Sequence, residues 1–123
     1  MQANTETVQT LLEVAFLAAG TGQLSHVQAI CAGLEVVRPE SEMPAVALAT
    51  AQMSAGRHLE AVKLLQGAVE KNPESDLAMS FLGLALKMSG LHDASRSVAQ
   101  QVIDADNNAE AVALAKSLLE SRE

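Results

Sequence analysis

An all-α fold of repeated helical hairpins is what these 123 residues predict, on three observations. Gly22, Gly56 and Gly90 stand 34 residues apart. Pro39 and Pro73 keep the same interval, and Asn107 fills the third place. Within each interval, apolar residues recur at three- and four-residue spacing, which marks one face of a helix. A fixed period of this length indicates a helix–turn–helix unit that buries its apolar face against its neighbours.

Laid out at that period, the units run 8–41, 42–75 and 76–109, and a closing helix follows at 110–121. Helices are expected over 6–20, 24–37, 43–55, 59–71, 76–89, 92–105 and 109–121, with no strand. Position 7 of each unit reads Val14, Leu48 and Leu82, and position 8 reads Ala15, Ala49 and Gly83. A large apolar residue beside a very small one lets the second helix of a hairpin come close to the first. Val27, Ala61 and Ser95, then Cys31, Leu65 and Ala99, then Leu34, Ala68 and Val102 form the inward face of the three second helices. Each recurring glycine serves the turn inside its hairpin, where a residue without Cβ takes positive φ readily. Proline ends a second helix because it cannot continue it and biases its predecessor out of the α region.

Local signals agree with these boundaries. Ser75 ahead of Asp76 reads as an N-cap with an acidic first turn, and Asn107 or Asn108 serves the last helix. Pro44 falls in the first turn of its helix, where the missing N–H costs little. In the closing helix Ala111, Leu114, Ala115 and Leu118 make the apolar stripe, while Lys116 suits an outer side facing water. The whole length, 1–123, reads as one domain.

Composition excludes several functions. The net charge is −7, no Lys or Arg precedes Arg38, and there are two Phe with no Tyr or Trp. A nucleic-acid interface needs a basic patch and stacking aromatics, so no nucleic-acid partner is expected. No apolar run is long enough for membrane insertion, and no cleavable leader is legible, which predicts a cytoplasmic protein. Cys31, the single cysteine, falls on an inward helix face and reads as an inert core thiol. His58 and His92 share the 34-residue interval, which explains their spacing through the repeat. No Cys or carboxylate completes a ligand set with them, so no metal or cofactor is expected. No phosphate-binding loop, nucleophile elbow or pair of catalytic carboxylates occurs, and the chain reads as a binding protein, not an enzyme.

Period and register together resemble the tetratricopeptide repeat (TPR) family. That resemblance implies a right-handed superhelix of three hairpins and a capping helix, although the family's usual aromatics at positions 4, 11 and 24 are absent. It also implies a concave groove lined by positions 2, 5, 9, 12 and 13 of the first helices. These are Gln9, Leu12, Phe16, Ala19 and Gly20; Met43, Val46, Thr50, Met53 and Ser54; and Leu77, Ser80, Leu84, Lys87 and Met88. Members that grip the acidic tails of heat-shock chaperones carry polar clamps there. Leu12, Phe16, Met43 and Leu77 stand in those places, so that ligand is not expected.

An apolar strip with flexible Met suits the apolar face of a helix. The strongest partner-binding residues on this reading are Leu12, Phe16, Met43, Val46, Thr50, Met53, Leu77, Leu84, Lys87 and Met88. Size, apolar groove and the junction VQAICAGLEVVRPESEMPAVALATAQMSAGRHLEAVKLL resemble the small TPR chaperones of bacterial type III secretion that hold the needle subunit. The resemblance implies a chaperone for an amphipathic helix of a needle or other self-assembling secreted subunit, with a small helical co-chaperone alongside. A general TPR scaffold joining two cytosolic proteins is the alternative.

Overall fold

The computed structural model describes residues 5–20 and 23–120. Seven helices and no strand occur among them: α1 (Thr5–Gly20), α2 (Leu24–Val37), α3 (Met43–Ser54), α4 (His58–Lys71), α5 (Asp76–Met88), α6 (His92–Ala105) and α7 (Ala109–Glu120). The helices α2, α4 and α6 begin at residues 24, 58 and 92, so the 34-residue spacing of the sequence reappears in the backbone.

Boundaries follow from the residues that stand at them. Gly56 and Gly90 take φ of +82° and +83°, a left-handed conformation in which a Cβ would crowd the following carbonyl and which glycine adopts without that clash. Gly22, expected in the same role, lies outside the described residues. The Ser75 hydroxyl accepts from the Ala78 N–H at 3.1 Å and caps α5. Asn108, not Asn107, caps α7, its Oδ1 accepting from the Ala111 N–H at 2.9 Å. Helix α6 ends through Asp106, whose φ of 50° puts a non-glycine residue in the left-handed region. Asp tolerates that region because its short polar side chain can bond locally.

The chain divides into two compact units between Arg57 and His58, inside the segment 42–75 read from the sequence as the second hairpin. In the first unit α1 and α2 pack together and α3 packs against both. Ala15, Val27, Cys31, Ala47 and Ala51 are its buried cluster, with Phe16, Ala18, Leu24, Ile30 and Leu48 partly buried around them. In the second unit α5 packs against α4 and α6, and α7 lies against both α5 and α6. Ala99, Val102, Ala111, Ala115 and Leu118 are buried there. Both units thus share a device, a helix laid over the preceding hairpin.

The nine inward positions of the second helices are all buried. Small residues at position 8 set how closely helices approach. A Cβ on Gly83 would stand 3.1 Å from Leu118 Cδ1, 3.6 Å from Val98 Cγ1 and 3.7 Å from the Ser95 carbonyl oxygen. The buried Ser95 hydroxyl donates to the Gly83 carbonyl at 2.7 Å, tying α6 to α5 at the same point. Gly83→Ala brings about 1 kcal/mol of helix propensity against a small shift of the Leu118 tip, so stability should change by less than about 1 kcal/mol. Gly83→Val pushes two further methyls into the same space and should cost about 1–3 kcal/mol, read as a lower urea midpoint. Position 7 is less uniform: Leu82 is buried but Val14 is 45% exposed, because α1 has no neighbour over that face among the described residues.

Candidate functional site

Two cavities gather most of the residues that the sequence marks for partner binding. The first lies within residues 1–57, has a volume of about 560 Å³, and is lined by Gln9, Leu12, Glu13, Phe16, Leu17 and Met43. Helix α1 supplies five of these at helical spacing, so they share one face. Met43 is placed by the start of α3, where its own N–H donates to the Ser41 hydroxyl at 3.1 Å and Pro44 opens the helix. Phe16 anchors the floor by packing on the buried Ala15 cluster, while Leu17 stands 73% exposed at the rim. Glu13 is the charge among these lining residues, in a stretch of chain with no Lys or Arg before Arg38.

The second cavity lies within residues 58–123, has a volume of about 530 Å³, and is lined by His58, Leu84, Lys87, Met88, His92, Ser117 and Leu118. Leu84, Lys87 and Met88 come from one face of α5, and Ser117 and Leu118 come from α7.

The remaining expected residues are placed differently. Val46 is fully buried and Met53 is only 6% exposed, so neither side chain is open to a ligand. Thr50 is half-buried, and its hydroxyl donates to the Val46 carbonyl at 2.8 Å, which spends it within α3. Leu77 is half-buried and lines neither cavity. Ala19 lies outside the residues whose side chains are described. Leu17 and Glu13 escape a reading by repeat position because they fall between the groove positions. Ser117 and Leu118 escape it because the closing helix has no place in the repeat.

Two other sites read from the sequence can be placed. Among the described residues no group of three or more His, Cys, Asp or Glu comes together to hold a metal ion. Cys31 is buried, and desolvation pushes its thiol up to about 11, with Glu35 adding to the rise and a backbone hydrogen bond at Leu48 opposing it. Because burial favours the neutral thiol, its stabilisation is complete below the ordinary pKa of 9.0 and is lost as pH rises from there towards 11. A thiol reagent at pH 7.5 should therefore leave the folded protein unmodified and label it fast in urea. Rapid labelling without denaturant would show an open α2–α3 contact.

The family model described as bacterial type III secretion protein (HrpB1_HrpK) matches residues 1–123. The chain belongs to the HrpB1_HrpK family. Comparison with curated proteins finds no match. That description is consistent with a role for this HrpB1_HrpK protein in bacterial type III secretion. No described helix is long and apolar enough to cross a membrane.

Proposed function

We propose that this type III secretion protein is a non-catalytic chaperone built from TPR-like hairpins. It holds the amphipathic helix of a self-assembling secreted subunit, of the needle type, against the α1–α3 cavity. The observation that carries this reading is the cavity itself: Leu12, Phe16, Leu17 and Met43 present apolar surface with one carboxylate, Glu13, beside it. An amphipathic helix whose apolar face carries Leu, Ile or Val, with Lys or Arg at its edge, is the matching partner. Flexible Met43 accommodates an imperfect fit.

Shielding such a helix keeps the subunit from assembling early, because the same apolar face drives its polymerisation. A small helical co-chaperone completes the complex. Purification of the tagged protein from its native host under secretion-inducing conditions tests this directly. Co-elution of one small secreted subunit in a compact complex supports the chaperone. A large soluble complex of non-secreted proteins would replace it with a general scaffold.

A further inference from the structure

The cavity within residues 58–123 combines hydrogen-bond donors with apolar surface in a way the client-helix reading does not use. The protein carries 15 acidic and 8 basic residues, yet no carboxylate lines this cavity among the described residues. Lys87 brings an ammonium group, His58 and His92 bring ring nitrogens, and Ser117 brings a hydroxyl. His58 Nδ1 is buried and has no hydrogen-bond partner. Leu84, Met88 and Leu118 supply the apolar surface of the same space.

We infer that this cavity binds the C-terminal carboxylate of a polypeptide whose last side chain is aliphatic. A lining with several donors and no acid among the described residues favours an anion. Apolar side chains in the same small space select an anion with an apolar group close to it. A chain terminus ending in Leu, Ile or Val meets both conditions, because its carboxylate and its branched side chain leave the same Cα. A side-chain carboxylate has no such group beside it, and inorganic phosphate has none at all. The inference stands apart from the client-helix reading, since every lining residue lies beyond His58 or is His58 itself, whereas the α1–α3 cavity lies within residues 1–57.

The test uses the full chain, labelled with ¹⁵N, titrated with acetyl-Ala-Ala-Leu as the free acid, the same peptide as the C-terminal amide, hexanoate and inorganic phosphate. The free acid should shift the backbone signals of residues 84–92 and bind at least about tenfold tighter than the amide, the size of a lost charge-assisted hydrogen bond. Lys87→Gln should weaken the acid by about tenfold and leave the amide unchanged, while Lys116→Gln on exposed α7 surface changes neither. Leu17→Glu, which disables the other cavity, should leave peptide affinity intact. Equal affinity for acid and amide, or no shift at millimolar acid, overturns the assignment. Phosphate as tight as the peptide acid also overturns it, leaving a simple anion site, and hexanoate as tight would move the ligand from a chain terminus to a small free acid.

Discussion

Leu17→Glu is expected to abolish client binding while helical content and melting temperature stay at their wild-type values. The side chain is 73% exposed, so the folded protein loses little when it is replaced. In the proposed complex the same position would lie against the apolar face of the client. A carboxylate desolvated there without a partner costs about 3 kcal/mol or more, roughly a hundredfold in affinity. Leu12→Glu, half-buried in the same cavity, should lose binding to a similar degree with a modest loss of stability. Lys63→Glu, on exposed surface of α4, should change affinity by less than about fivefold, since exposed charges contribute roughly 0–1 kcal/mol. Calorimetry against the co-purified subunit, with circular dichroism as the folding control, gives the comparison. Unchanged affinity in both Leu12→Glu and Leu17→Glu would place the client elsewhere.

The largest effect on stability is expected from Leu65→Ala. Leu65 is fully buried and is, with Leu34, among the bulkiest side chains without exposed surface. The core around such residues is built mostly of Ala and Val, and the whole sequence has two Phe and no Tyr or Trp. The isopropyl group that Leu65→Ala removes leaves a space that such small side chains fill poorly. Leu→Ala at a site of this kind costs about 2–5 kcal/mol, a large share of the roughly 5–15 kcal/mol that holds a domain folded. A fall in melting temperature of roughly 10 °C follows for a chain of this size. A fall below about 2 °C would mean that α4 settles into the vacated space.

Much of the helical plan was legible because the residues that set it act locally. Turn glycines, the cap at Ser75, Pro44 at a helix start and the prolines after α2 and α4 fix ends to within a residue or so. The inward faces were legible for a related reason. Positions such as Val27, Ala61 and Ser95 repeat at the spacing that the backbone repeats, and all are buried. Less was legible in the candidate site. Repeat position says which face of a first helix a residue occupies, but not how tightly that face is covered. Val46 and Met53 share a face with Phe16 by position and are nevertheless buried, so a glutamate at Met53 would report on folding as much as on binding. Leu17, one position from Phe16, is the most open apolar residue of its cavity. The cavity around Lys87 was hidden for a further reason: Ser117 and Leu118 reach it from a closing helix that has no counterpart in the repeat. His58 and His92, equally spaced because the repeat spaces them, line one cavity that only the folded chain forms.

Site-specific photocrosslinking tests the central claim most directly. A benzophenone side chain placed at Leu17, and separately at Lys63, would be irradiated in the native host while secretion is active. A client helix seated in the α1–α3 cavity predicts one predominant adduct from position 17, with a small secreted subunit, attached within an amphipathic helix of that subunit, and none from position 63. An adduct of that subunit from position 63 with none from position 17 would contradict the account.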